Sequence, residues 1–227
     1  MTCQDPQDLL PGVALDSYAI LFDPANAAKL KDCGISVLDS PADVMPIALN
    51  YLGLPPDSEK AEDLEQAKNA LLAIRPQLRY IHSSSYLNDL AAGTICVAIG
   101  WSGDATIAQA RADEAKNGVQ LQYIVPKEGT LSWFGMMAIP ADAPHPEAAY
   151  AFINFILDAK NHAWAAQNIL YKVPNKAAMD ALDPALIKQY PNLGITPAEL
   201  LKYEQLRDLG DGQKLWSKTV TEITSSN

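Results

Sequence analysis

An indole and a carboxylate stand three positions apart in the segment Gly100-Trp101-Ser102-Gly103-Asp104. The face of an indole attracts a cation by about 0.5–2 kcal/mol, and a carboxylate accepts charge-assisted hydrogen bonds from an ammonium group. The pair therefore suits an organic cation. The same residues also allow a purely structural interpretation, with Trp101 in the core and Asp104 as the N-cap of the helix that follows.

The elements around this segment predict that it lies at the edge of a sheet. Residues 94–99 form a continuous apolar run, which is typical of a parallel strand buried on both faces. In open α/β sheets, ligands bind beyond the carboxyl ends of the strands. We expect Trp101 at such an edge together with Ser83, which follows a short strand predicted over 78–82.

Helical stretches alternate with short apolar strands along the 227 residues, and this order predicts an α/β fold. The later part of the chain continues the pattern. Residues 120–126 are predicted to be extended and 131–140 to form a strand. Apolar residues at helical spacing predict one long helix over 146–166.

The composition argues against two kinds of partner. The chain has 27 acidic and 17 basic side chains, a net charge of -10, and no Lys/Arg cluster, so a phosphate backbone would be repelled and nucleic acid is not expected to bind. No apolar stretch reaches about 18 residues, so a membrane-embedded protein is not expected. The polar start of this sequence does not predict a signal peptide.

The three cysteines are too few for a disulfide scaffold. Cys33 and Cys96 could form one disulfide bond and leave Cys3 unpaired, or they could remain free thiols. No cysteine lies in a Cys-x-x-Cys motif or a Cys/His cluster, so we predict neither a metal site nor a cofactor.

An enzyme is not predicted either. His82 precedes three serines, but adjacent side chains on a strand point to opposite faces, so His82 and Ser83 cannot act as a base and its nucleophile. The sequence also lacks a Gly-x-Ser-x-Gly elbow and a phosphate-binding Gly-x-x-x-x-Gly-Lys loop.

A family resemblance extends over nearly the whole chain. Its segments, in order, are RYIHSSSYLNDLAAG (79–93), TICVAIGWSGD (94–104), Lys127-Glu128-Gly129, Trp133-Phe134 and YKVPNKAA (171–178). In this order they resemble the periplasmic polyamine-binding proteins of ABC importers, the putrescine- and spermidine-binding group. The resemblance implies a type II periplasmic-binding-protein fold, in which two α/β lobes close over a linear polyamine.

The resemblance also implies a role for five residues. Trp101 and Asp104 are the ring and carboxylate of the second lobe, Ser83 is a polar contact to the ligand, Trp133 is an aromatic wall residue of the first lobe, and Tyr171 is another aromatic lining residue. The implied partners are a polyamine and the membrane permease of the importer, and the implied location is the periplasm. That oxidising compartment, and the family positions of the two cysteines, permit a bridge between Cys33 and Cys96.

The extent of the resemblance predicts an incomplete first lobe. Members of the family carry a signal peptide and a sizeable first-lobe segment before the matched region, so we expect an N-terminally truncated member. We assign residues 1–120 and 183–227 to the second lobe and 121–182 to a partial first lobe. Exposed sheet edges and apolar patches are then expected, and a remnant that binds no ligand remains an alternative.

Two positions depart from the family pattern. Ala42 and Gly135 stand where the family typically has acidic residues. Asp43 is adjacent to Ala42, but its side chain is interpreted as pointing to a different side of the helix, so it is not counted as a replacement for the missing acid. Each missing carboxylate removes a charge-assisted bond of about 1.5–3 kcal/mol, and this loss weakens binding of a dication more than of a monoamine. The alternative ligand is therefore an ω-amino acid such as 4-aminobutyrate or 5-aminovalerate.

Overall fold

A computed structural model describes residues 6–205 and 207–225. Three parallel strands form its main sheet in the order β2-β1-β3, which confirms the α/β fold class. The strands are β1 (Ile35–Val37), β2 (Tyr80–Ile81) and β3 (Val97–Ala98). A second parallel pair joins β4 (Leu131–Ser132) to β5 (Glu204–Gln205). Cys3 lies outside the described residues.

Helices make up most of the remaining regular structure. In the described residues they are α1 (Pro6–Leu9), α2 (Ala19–Phe22), α3 (Pro24–Leu30), α4 (Pro41–Tyr51), α5 (Ala61–Ile74), α6 (Tyr86–Ala92), α7 (Ser102–Ala115), α8 (Pro146–Leu157), α9 (Ala159–Ile169), α10 (Lys176–Asp180), α11 (Pro184–Gln189), α12 (Pro197–Leu200) and α13 (Gly212–Thr224). Short 3-10 turns span Arg75–Gln77 and Pro191–Gly194.

The main core joins the sheet to the helices of the first hundred residues and to the last helix. Ile35, Met45 and Leu71 are buried in it. The helix α13 packs against α4 and α5, and its buried Trp216 donates a hydrogen bond of 3.0 Å from Nε1 to the carbonyl oxygen of Ser58. A smaller, separate cluster lies within 163–182. The assignment of residues to two lobes stays a prediction.

Crossover connections bring the carboxyl ends of the three strands to one edge of the sheet. The chain returns from β1 to β2 through α4 and α5, and from β2 to β3 through α6. Parallel strands require such crossovers, so the residues that follow each strand share the same edge. Asp39, Ser83 and Trp101 are those residues, and this edge is called the carboxyl edge below.

Two predicted elements between residues 131 and 166 are wrong in extent. The strand predicted over 131–140 ends at Ser132, whereas residues 120–126, predicted to be extended, belong to no helix or strand. A strand needs a neighbour for its backbone hydrogen bonds, and apolar sequence alone does not supply one. The long helix predicted over 146–166 is interrupted at Asp158, whose carboxylate caps α9 by accepting hydrogen bonds from the N–H groups of Lys160 and Asn161.

A disulfide bond joins Cys33 to Cys96, which settles the alternative that the sequence leaves open. The bond connects the turn before β1 to the residue before β3, and the two Cα atoms lie 5.6 Å apart, within the usual range for a disulfide. The guanidinium of Arg79 lies beside it and donates hydrogen bonds to the carbonyl oxygens of Thr94 and Asp32.

Two kinds of feature are absent from the described part of the chain. None of its helices is both long and apolar enough to cross a membrane. None of its groups of His, Cys, Asp and Glu side chains is arranged to hold a metal ion.

The disulfide bond is expected to stabilise the sheet. Replacing both Cys33 and Cys96 by Ala should lower the free energy of unfolding by about 2–4 kcal/mol, because the open chain gains conformational entropy when it unfolds. Urea unfolding followed by circular dichroism measures the difference, with Cys3→Ser as the control that keeps the bond. An unfolding midpoint that is the same with and without a reductant would contradict the stabilising role.

Candidate functional site

The carboxylate of Asp104 accepts hydrogen bonds from two tyrosines. Tyr86 donates to Oδ2 at 2.7 Å, and Tyr171 donates to Oδ1 at 2.5 Å. The helix α7 begins at Ser102, so Asp104 lies in its first turn and Trp101 is the N-cap residue. The structural interpretation of Asp104 as an N-cap is therefore wrong, because its side chain reaches other elements instead of its own helix end.

Two glycines make this arrangement possible. A Cβ atom on Gly100 would lie 2.3 Å from Cε2 of Tyr86, and one on Gly103 would lie 2.0 Å from Cδ2 of Tyr171. Neither distance is compatible with a side chain, because the obstructing atoms belong to rigid rings. The glycines on either side of Trp101 therefore create the room in which both hydroxyl groups reach Asp104.

The two tyrosines stay protonated at neutral pH. Burial, followed by the hydrogen bond to Asp104, raises the pKa of Tyr86 and that of Tyr171 above the ordinary tyrosine value. The hydroxyl of Tyr86 also accepts a hydrogen bond of 3.0 Å from the backbone N–H of Trp101, and its ring meets the indole edge-on with centroids 6.5 Å apart. These contacts fix the indole relative to the carboxylate.

A second carboxylate contacts the indole from another helix. The Nε1–H group of Trp101 donates a hydrogen bond of 3.2 Å to Oδ1 of Asp43. The interpretation of Asp43 as pointing elsewhere is therefore wrong. Asp43 is the third residue of α4, and Cα–Cβ bonds tilt toward the start of a helix, so its side chain points back to the carboxyl edge.

Ser83 lies at the same edge but bonds to a protein partner. Its hydroxyl donates to the carboxylate of Asp39 and accepts a hydrogen bond of 3.0 Å from the backbone N–H of Asp39. The prediction that Ser83 follows a strand at the carboxyl edge is confirmed. Its direct contact to a ligand stays a prediction.

The carboxyl edge therefore carries three acidic side chains whose hydrogen-bond partners are neutral. Asp104 is bonded to tyrosine hydroxyls, Asp43 to an indole N–H, and Asp39 to a serine hydroxyl. Within the described residues, no ion pair involves any of the three. Neutral donors orient the carboxylates but leave their negative charge uncompensated, which favours a cation at this edge.

Trp133 is not joined to this group. It follows β4, and 47% of its surface is exposed. Within the described ranges, no hydrogen bond or ring contact connects it to Trp101, Asp104 or Tyr171. Its role as an aromatic wall therefore remains a prediction.

Tyr86 and Asp43 both belong to the hydrogen-bonded group, although the sequence pattern predicts a role for neither. Gly100 and Gly103 are the sequence signal for a close approach, because paired glycines at a strand-to-helix junction indicate that another group needs the space. They could not identify the approaching residue, which is distant in sequence.

The chain is similar to two curated bacterial proteins. It is 43% identical over 212 residues to the putrescine-binding periplasmic protein SpuD of Pseudomonas aeruginosa, a match that covers 93% of this chain and 56% of that protein. It is 45% identical over 180 residues to the putrescine-binding periplasmic protein PotF of Escherichia coli, covering 79% of this chain and 48% of that protein. The chain thus spans about half the length of the curated relatives it matches.

A solved structure agrees with this similarity. A candidate spermidine/putrescine ABC transporter protein from Listeria monocytogenes superposes with a TM-score of 0.81 at 25% identity, covering 97% of this chain and 65% of that chain. The superposition confirms the type II periplasmic-binding-protein fold. Residues 7–195 match the family model of the bacterial extracellular solute-binding proteins, and the chain belongs to that family.

Proposed function

We propose that the chain binds a linear polyamine of the putrescine and spermidine class, as the substrate-binding component of a periplasmic ABC importer. The observation that carries the proposal is the carboxylate of Asp104, fixed beside Trp101 by neutral donors alone. Its uncompensated charge attracts an ammonium group, and the indole face accommodates the adjoining methylenes. The relatives named for putrescine binding support the same ligand class.

Asp43 favours a diamine over a monoamine. The absence of acidic residues at Ala42 and Gly135 would favour an ω-amino acid, but Asp43 places a second carboxylate on the indole N–H. A ligand with a positive charge at each end then has one acceptor at Asp104 and another at Asp43. A carboxylate at one end, as in 4-aminobutyrate, would instead meet negative charge.

Binding without catalysis is part of the proposal, because the family is one of solute-binding proteins. The Nδ1 atom of His82 accepts hydrogen bonds from the backbone N–H groups of Ser84 and Ser85, at 3.1 and 3.2 Å, and lies 3.2 Å from the hydroxyl of Ser85. These bonds use the imidazole to close a turn. Among the described residues no carboxylate is bonded to His82, so the third group that orients a catalytic base is absent there.

The permease of such an importer is the partner that follows from the proposal, and closure of two lobes over the ligand would be the motion that the permease recognises. Because the chain spans about half the length of its curated relatives, these features of the whole protein are proposed for it by family membership.

The charge of Asp104 is expected to contribute directly to putrescine affinity. The isosteric change Asp104→Asn keeps an oxygen for a tyrosine hydroxyl but removes the charge, so putrescine affinity should fall about 10- to 150-fold, equivalent to about 1.5–3 kcal/mol. Isothermal titration with putrescine, spermidine and 4-aminobutyrate measures the change. Asp113→Asn, at the far end of α7, is the matched control and should bind as the wild type does.

Circular dichroism of each variant separates a lost contact from a lost fold. Putrescine binding that is unchanged in a folded Asp104→Asn variant would exclude the proposed site. A folded wild type that is silent with all three ligands would support the alternative of a non-binding remnant.

The charge of Asp43 is expected to matter for a diamine and not for a monoamine. Asp43→Asn still accepts the hydrogen bond from the indole, so the ring keeps its orientation and only the charge is lost. Putrescine affinity should fall about 10- to 150-fold, whereas that of butylamine, which has a single ammonium group, should change less than about threefold. Parallel titrations give the two ratios. Equal losses for both amines would show that Asp43 supports the fold of the site and does not select a diamine, whatever the outcome at Asp104.

A further inference from the structure

The helix α4 contains a proline in its interior. Pro41 stands at the first helical position, where a missing N–H removes no helical hydrogen bond, but Pro46 lies more than one turn further along. Pro46 has no N–H to donate to the carbonyl oxygen of Ala42, and its ring presses against that carbonyl group, so the helix bends there. A residue that breaks a local rule of its own element is typical of a functional site.

The first turn of α4, on the other side of this bend, carries Asp43. Oδ1 of Asp43 accepts the hydrogen bond of 3.2 Å from the Nε1–H group of Trp101. Asp43 precedes Pro46 by about 4.5 Å along the helix axis, so a change of about 20° in the bend displaces its Cα atom by about 1.5 Å. That displacement exceeds the few tenths of an ångström between this bond and the limit of about 3.6 Å, beyond which no hydrogen bond exists.

The part of α4 after Pro46 is held in place. Ala48 and Leu49 are fully buried, and α5 and α13 pack against the helix. At its far end, the ring of Tyr51 stacks on that of Phe22 with centroids 5.0 Å apart. The body of the helix cannot turn to compensate for a change in the bend, so such a change moves the first turn.

The ring of Pro46 also has rigid surroundings. Pro46 is buried, and Leu209 and Trp216 line the same narrow crevice. Trp216 is itself fixed by the hydrogen bond of its Nε1–H group to the carbonyl oxygen of Ser58. These neighbours keep the ring in one position and hence keep the bend at one angle.

The indole at the other end of the bond is held independently of α4. The backbone N–H of Trp101 donates to the hydroxyl of Tyr86, and the two rings meet edge-on. The contact between Asp43 and the indole therefore depends on the angle at which α4 begins.

We propose that Pro46 is a positioning residue of the ligand site. It sets the angle of the first turn of α4 and thereby places the carboxylate of Asp43 at the indole of Trp101, where the carboxylate selects a diamine. The inference rests on the proposed function, which gives Asp43 the second ammonium group of the ligand. The ring acts through Asp43 and not by contact with the amine.

Two substitutions at one position test the proposal. Pro46→Ala and Pro46→Val both restore an N–H that can bond to Ala42, so both allow the first turn to straighten. Valine has as many side-chain carbon atoms as proline, whereas alanine has fewer. Putrescine affinity should fall about tenfold in both variants, and butylamine affinity should change less than about threefold. Isothermal titration measures the affinities, and circular dichroism checks that the variants fold.

A double-mutant cycle shows whether Pro46 acts through Asp43. In the Asp43→Asn chain no charge remains to be positioned, so adding Pro46→Ala should lower putrescine affinity less than about threefold, against about tenfold in the wild type. A role in stability alone would give the same loss in both chains.

The Nε1–H signal of Trp101 gives a readout that needs no amine. In nitrogen-proton correlation spectra of the ligand-free protein, Trp101→Phe identifies the signal by its loss. Pro46→Ala should move the signal to a lower proton chemical shift, because the hydrogen bond to Asp43 is broken. Val44→Ala, which removes buried carbon atoms from the same helix and keeps its backbone hydrogen bonds, is the matched control and should leave the signal in place.

Several results would overturn the proposal. They are an unchanged indole signal in a folded Pro46→Ala variant, equal losses of putrescine affinity in the two arms of the cycle, and failure of both Pro46 variants to fold. A loss in Pro46→Ala that is absent in Pro46→Val would also overturn it, since the proline would then act by filling space. A wild type that binds none of the amines contradicts the proposed function, whereas the indole signal decides separately on the positioning of Asp43.

Discussion

The hydrogen bonds of Tyr86 and Tyr171 to Asp104 hold three parts of the chain in fixed positions. Tyr86 opens α6, Asp104 lies in the first turn of α7, and Tyr171 follows α9. A buried hydroxyl without an acceptor costs about 1–3 kcal/mol, so both tyrosines depend on the same carboxylate. Gly100 and Gly103 are required because each leaves room for one ring. Asp104, the proposed contact for the ligand's ammonium group, thus also holds α6, α7 and the segment after α9 together.

The hydrogen bonds to the two tyrosines leave acceptor positions free on the carboxylate of Asp104. Each oxygen of an ionised Asp has two lone-pair directions, so Asp104 can accept an ammonium group without releasing either tyrosine. The tyrosines contribute no charge, since burial and their bonds to Asp104 keep them protonated. A lysine or arginine in their place would have neutralised the site before a ligand arrived. The neutral tyrosine hydroxyls therefore hold the carboxylate of Asp104 in position and leave its negative charge available to a cation.

The sequence predicts what depends on local pattern. The apolar run 94–99 and the short strand before Ser83 place the ends of two strands at one edge, because parallel connections leave little choice. The contact of Asp43 with Trp101 cannot be predicted in this way, because it depends on the direction in which α4 starts relative to β3. The segment 131–140 fails for a related reason: its apolar residues are suited to a strand, but a strand exists only where a neighbour supplies hydrogen bonds.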